Sequence, residues 1–160
     1  MTETARTVRA LSLADAGACD AIVSSLPYHF GLEAGRAECA RAVRRDEGLV
    51  GIVEHEVAGF LTWRPSFAIA REITWMAVHA DRRGVGIGSA LIDRLVEQSP
   101  PGLRYLVVTT LAESTPEPGV PDGYARTRRF YRRNGFEPVW EPTGWWSERD
   151  QALFMLRALV

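Results

Sequence analysis

Apolar residues along this chain follow two rhythms, and the switches between them divide the sequence into elements. Residues 73–78 form a short apolar run rich in β-formers that stops at His79-Ala80-Asp81, the pattern of a buried strand. From Ile87 the period lengthens. Ile87, Leu91, Ile92, Leu95 and Val96 recur at helical spacing until Ser99-Pro100-Pro101-Gly102 ends the run. Upstream, residues 6–11 predict a strand, 13–25 a helix with Ala16, Cys19, Ile22 and Val23 on one side, and Glu33–Arg45 a second helix. Residues 49–53 and 57–63 predict a hairpin across Glu54-His55-Glu56, and a further turn at Arg64-Pro65-Ser66 leads into the central strand. Downstream, Tyr105–Leu111 is a strand whose continuous apolar character suits burial on both faces. Residues 112–123, with their prolines and glycines, predict a long loop, either a lid whose acids attract a cationic acceptor or a merely solvated connection. Residues 124–134 predict a helix capped by Gly135, and 136–140 and 153–159 a last pair of strands. Hairpins before and after a strand–helix–strand unit imply a mixed sheet in one α/β domain spanning residues 1–160.

The joint between the central strand and the central helix reads Arg82-Arg83-Gly84-Val85-Gly86-Ile87-Gly88-Ser89. Glycine lets a ligand approach backbone N–H groups closely, and at a helix start those groups have no intrahelical partner while the dipole is positive. Such a turn suits a diphosphate, with Arg82 or Arg83 adding fixed charge; the alternative is a glycine-rich connection that binds nothing. A P-loop would need Gly-Lys-Ser/Thr, but the chain has no lysine, and all 19 of its basic residues are arginine. A dinucleotide fingerprint would need a third glycine at Ser89 and an acid about 20 residues on, where the chain offers no carboxylate.

Arg83, Gly86 and Gly88, lying after a strand and before an amphipathic helix, match the pattern Arg/Gln-x-x-Gly-x-Gly/Ala, and here the sequence resembles the GNAT superfamily of acyl-CoA-dependent N-acyltransferases. A second block, Thr127-Arg128-Arg129-Phe130-Tyr131-Arg132-Arg133-Asn134-Gly135-Phe136, resembles that family's helix ending in Phe/Leu-Tyr-x-x-x-Gly-Phe. The resemblance implies a single-domain, mostly antiparallel α/β sheet flanked by helices around a strand–helix acyl-CoA-binding unit. It implies acetyl-CoA as co-substrate, with the arm and acyl carbonyl at Met76, Ala77 and Val78 and the diphosphate on the amides of Arg83, Gly84, Val85, Gly86, Ile87, Gly88 and Ser89. It also implies Tyr131 as acid toward the departing thiolate, unless that tyrosine only packs. Glu72 resembles the base of histone-type members, or is a strand-end carboxylate paired with Arg71 or a neighbour. Where many members carry asparagine and alanine, this chain has Tyr124 and Thr127, which weakens the carry-over on the pantetheine side. Tyr28, His29 and Phe30, between the first two helices, fall where the family borders its acceptor pocket; alternatively Phe30 is core and His29 a turn residue. Trp145 and Trp146 either wall that pocket or cover the sheet end. The basic face of Arg126, Arg128, Arg129, Arg132 and Arg133 reads as mostly solvated, with one arginine available to a ribose phosphate.

Composition narrows the classes. With 160 residues and 46% hydrophobic content, the chain can bury one sizeable core. A formal charge of −1 gives no reason to expect nucleic acid or an anionic membrane as partner. No apolar run is long enough to span a bilayer, and the amino terminus leads into no apolar signal segment, so a cytoplasmic location is expected. Cys19 and Cys39 read as buried free thiols, and the scattered His29, His55 and His79 give no support for a metal site. The expected activity is direct acetyl transfer to a primary amine of a small molecule or peptide, and a homodimer is left open. The rivals are a non-catalytic acyl-CoA-binding or sensing domain of the same fold and a nucleotide-binding module; retention of Glu72 and Tyr131 favours catalysis over the first, and the missing lysine and ribose acid count against the second.

Overall fold

In the computed structural model, residues 6–113, 123–148 and 150–159 are described. Among them the elements follow the predicted order: β1 (Arg6–Ala10), α1 (Ala16–Ser24), α2 (Glu33–Arg45), β2 (Glu47–Val53), β3 (Glu56–Phe67), β4 (Ala70–Val78), α3 (Ile87–Glu97), β5 (Tyr105–Leu111), α4 (Ala125–Arg133), β6 (Glu137–Trp140) and β7 (Ala152–Ala158). The architecture is α/β, with mostly antiparallel strands flanked by helices. Two compact units compose it. One takes the chain to Arg64 and again from Ile73 to Pro100; the other takes Pro65–Glu72 and the chain from Pro101 onward.

In the first unit, strands run in the order β1-β2-β3-β4. β1 and β2 pair antiparallel with Arg6 opposite Val53, and β2 and β3 pair antiparallel with Val50 opposite Phe60. Helices α1 and α2 cover one face, where Cys19, Ile22, Val23, Cys39 and Val43 close over Val50, Phe60 and Ala77. The opposite face has glycines at Gly51 and Gly59. A Cβ there would stand 2.8 Å and 2.9 Å from Ile87 Cγ2, so α3 seats closely because the sheet carries no side chain beneath it. Its buried stripe, Ile87, Leu91, Ile92 and Leu95, is the predicted one except for Val96, which is half-buried. Each of these side chains contributes roughly 1.5–3 kcal/mol through burial. That stripe fixes the start of α3 close behind the end of β4.

Three local differences from the sequence reading have physical causes. The predicted helix over 13–25 begins as a 3-10 turn, Leu13–Asp15, before α1. Here Asp15 accepts the backbone N–H of Ser12 at 2.9 Å and both guanidinium nitrogens of Arg9 at 2.8 Å. The expected turn at Arg64-Pro65-Ser66 is instead strand, and β3 continues to Phe67. The ladder with β2 ends at Trp63, so along that edge Pro65 removes no bond. Finally, β5 is not buried on both faces: Leu106, Val108 and Thr110 are buried, and the residues between them only half-buried. Its apolar run carries no mark that separates the two cases.

In the second unit, strands run β5-β7-β6, antiparallel throughout, with Val108 opposite Met155 and Glu137 opposite Leu156. α4 buries Arg128 and Tyr131 and turns into β6 through Gly135, whose φ of 84° is the left-handed cap predicted for it. No helix among the described residues is long and apolar enough to cross a membrane.

Candidate functional site

The joint after β4 is shaped by its backbone. His79 donates its N–H to the Ala58 carbonyl at 2.8 Å, and Ala80 donates to Ser25 Oγ at 3.1 Å, which ties the exit of β4 to its surroundings. A 3-10 turn, Ala80–Arg82, follows. Gly84 and Gly86 then adopt φ of 83° and 81°, a conformation that costs a side chain dearly and glycine nothing. Gly86 is the N-cap of α3, and the first helical bond runs from Ala90 N–H to the Gly86 carbonyl at 3.0 Å. Helix geometry therefore leaves the N–H groups of Ile87, Gly88 and Ser89 directed out of the helix end. Among the described residues no side chain caps this helix start, and no acid stands in its first turn, an arrangement that favours an anion there. A Cβ on Gly84 would meet nothing within 4 Å, so the space beside that residue is open. These features fit a diphosphate.

Two arginines fasten the turn. Arg6 donates from Nη1 to the Val85 carbonyl at 2.8 Å. Arg82 donates to Glu54 at 2.8 Å and to Glu56 at 3.3 Å, the two acids beside the β2–β3 turn. Arg82 is thus engaged by carboxylates, and Arg83 is exposed. Arg6 escaped the sequence reading because 79 residues separate it from its acceptor.

On β4 itself, Ala77 is buried in the α1–α2 core, and Met76 and Val78 are half-buried. Thr74 Oγ1 lies 2.7 Å from Thr62 Oγ1 of β3. The link between α1 and α2 divides by residue. Phe30 packs against the core and onto Trp75, with ring centroids 6.0 Å apart, as in the structural alternative for it. Tyr28 is exposed and His29 half-buried, with their rings edge-on at 5.3 Å.

In the second unit, Tyr131 is 6% exposed, with Phe130 and Phe136 edge-on at 5.3 Å and 5.5 Å. Burial, with a smaller contribution from Tyr124, pushes its phenol above the usual tyrosine range, so it stays protonated at neutral pH. Arg128, expected on a solvated face, is buried and donates from Nη1 to the Leu111 carbonyl at 2.8 Å. Its position three residues before Tyr131, on the same helix face, was the signal available in the sequence. Arg126, Arg129, Arg132 and Arg133 are exposed as expected. Glu72 is half-buried in β4. Trp145 is exposed yet packs edge-on against Trp140 at 5.5 Å and Phe154 at 5.3 Å, covering β6 and β7; Trp146 is exposed beside it. Of the predicted lid, residues 114–122 lie outside the described residues.

Other reactive groups have structural roles. Cys19 and Cys39 are free and fully buried, and desolvation pushes both thiols up to about 12, which leaves no thiolate at neutral pH. Among the described residues no His, Cys, Asp and Glu side chains cluster as a metal site would require.

The family description "Acetyltransferase (GNAT) domain" matches residues 43–138. No curated protein matches the chain. Solved structures share its fold. A GNAT-family acetyltransferase structure from Desulfovibrio desulfuricans superposes with a TM-score of 0.82 at 21% identity, over 98% of this chain and 100% of that one. Ard1 from Thermoplasma volcanium follows the fold with a TM-score of 0.75 at 20% identity, over 98% and 99% of the two chains. An aminoglycoside 6'-N-acetyltransferase complexed with coenzyme A gives 0.73 at 14% identity, over 96% and 97%.

Proposed function

The chain belongs to the GNAT acetyltransferase family, and from that premise we propose that it moves an acetyl group from acetyl-CoA to a primary amine by direct attack in a ternary complex. The observation that carries this reading is the uncapped start of α3 behind two left-handed glycines. Coenzyme A supplies a diphosphate and a thioester. The amides from Arg83 through Ser89 hold the first, and the end of β4 at Met76, Ala77 and Val78 receives the arm that carries the second. That an aminoglycoside acetyltransferase of this fold was crystallised with coenzyme A supports the assignment.

An ammonium has no lone pair with which to attack, so the acceptor must first lose a proton. Glu72 takes it, directly or through water. A C–N bond then forms as the C–S bond breaks, and the departing sulfur takes a proton from the Tyr131 phenol. Burial keeps the Tyr131 phenol protonated at neutral pH and raises it above the ordinary tyrosine range, which makes it a weaker acid than an exposed tyrosine. Tyr28 and His29, with Trp145 and Trp146, are the proposed acceptor contacts. The reading is of one catalytic domain acting in the cytoplasm on a small-molecule or peptide amine, with neither nucleic acid nor membrane as partner.

Thiol release from acetyl-CoA tests it, measured against a panel of an aminoglycoside, a polyamine, free amino acids and peptides with free amino termini. The proposal expects release stimulated by at least one amine class. Coenzyme A binding without stimulated release across the panel would contradict transfer and favour an acyl-CoA-binding domain.

A further inference from the structure

The contact between Arg6 and Val85 constrains a particular peptide plane. All described peptide bonds are trans, and in a trans peptide the carbonyl and the following N–H point in opposite directions. With the Val85 oxygen drawn to Arg6 Nη1 at 2.8 Å, the Gly86 N–H is directed away from the guanidinium. This peptide joins Val85 to Gly86, and on the Gly86 side the missing Cβ leaves both hands of backbone rotation accessible. In the flipped orientation a carbonyl oxygen would face the region that the first-turn amides of α3 serve, where it would repel an anion. A Cβ on Gly86 would stand 3.1 Å from Arg6 Nη1, so the guanidinium lies directly against this residue. Its base is well anchored: Arg6 sits opposite Val53 in the β1–β2 ladder, next to the turn whose Glu54 holds Arg82. One arginine reaches from the sheet to the turn and another from the turn back to the sheet.

We propose that Arg6 is a positioning residue for the acyl-CoA diphosphate, acting through the Val85 carbonyl to hold the Gly86 N–H in its donating direction. The inference rests on the reading that this turn binds coenzyme A. Arg6 acts through the Val85 carbonyl, so its loss removes preorganisation, together with one positive charge close to the site.

Calorimetric titration with coenzyme A at low and moderate salt separates the possibilities, using the wild type, Arg6→Ala, Arg6→Lys and, as a control for a lost surface charge, Arg94→Ala. The expected result is a Kd raised about tenfold in Arg6→Ala, the scale of one hydrogen bond from a charged donor. Arg6→Lys should recover part of that loss, and Arg94→Ala should match the wild type. The ratio of Kd values at the two salt concentrations should be the same in wild type and Arg6→Lys, which keep the charge. In the free protein, the Gly86 amide resonance should move in Arg6→Ala with the melting temperature nearly unchanged. Wild-type affinity in Arg6→Ala overturns the inference and leaves the proposed function standing. A raised Kd in Arg6→Ala with the Gly86 amide resonance unmoved overturns the positioning role in favour of direct attraction. Failure of the wild type itself to bind overturns the reading of the turn, and this inference with it.

Discussion

The turn ahead of α3 is made of backbone and left open, whereas the inner face of α4 is made of side chains and closed. At the turn, Gly84 and Gly86 carry no Cβ and the helix start has no side-chain cap. On α4, Tyr131 is enclosed by Phe130 and Phe136, and Arg128 is buried on the Leu111 carbonyl. A backbone site discriminates by shape and donor direction, so one added side chain can destroy it. A side-chain site depends on a single functional group held by its packing, and removing that group can spare the fold. The difference predicts which changes abolish binding and which reduce only turnover.

The largest effect is expected at Gly86. Gly86→Glu forces a side chain into a left-handed conformation, presses it on Arg6 and puts a carboxylate at the positive end of α3. Calorimetry should find coenzyme A binding lost, while circular dichroism and the melting curve show a folded protein. Unchanged affinity would remove the turn from the site.

Tyr131→Phe sharpens the other half of the comparison. The ring and its two aromatic contacts remain, so the melting temperature should hold within a few degrees while kcat with the best amine of the panel falls on the order of a hundredfold. A drop in melting temperature with turnover intact would make Tyr131 a packing residue. Glu72→Gln should lower kcat/KM at neutral pH by a factor of the same order. If the rate survives, the amine loses its proton elsewhere.

Asp15→Asn lies outside both regions and should change stability alone. Arg9 and Ser12 hold the buried Asp15 carboxyl down to about 2, from an ordinary value near 3.8. A group with a depressed folded pKa stabilises above its unfolded value and loses that contribution as pH falls through the folded one. The contribution, about 2 kcal/mol by linkage, should therefore be full above pH ~4 and fade toward pH ~2. Urea titrations of wild type and variant should differ by that amount at pH 7 and converge in acid, with coenzyme A affinity at pH 7 equal in both.

The same contrast explains what could be read along the chain. Glycine spacing at 84, 86 and 88 exposed the turn because a backbone site is written in the residues that form it. The strand and helix order was legible for a similar reason, since apolar rhythm reports local geometry. Contacts closed by tertiary structure were not. Arg6 meets Val85 and Arg82 meets the β2–β3 turn only once four strands and α3 are assembled, and nothing local in either segment names its partner. Arg128 looked like one more exposed charge in a helix crowded with arginine. Pro65 reads as a turn residue by local preference, yet it is accommodated in β3 where the β2 ladder has already ended. Phe30 and Trp145, aromatic and near predicted turns, fit pocket and packing equally well as sequence, and only their ring contacts distinguish them.

A structure determined with coenzyme A bound would locate the diphosphate itself. Its oxygens should lie about 2.7–3.2 Å from the N–H groups of Gly86, Gly88 and neighbouring residues of the 83–89 turn, with the Val85 carbonyl still on Arg6. A diphosphate held elsewhere by side chains, with the start of α3 facing only water, would contradict the assignment of the turn.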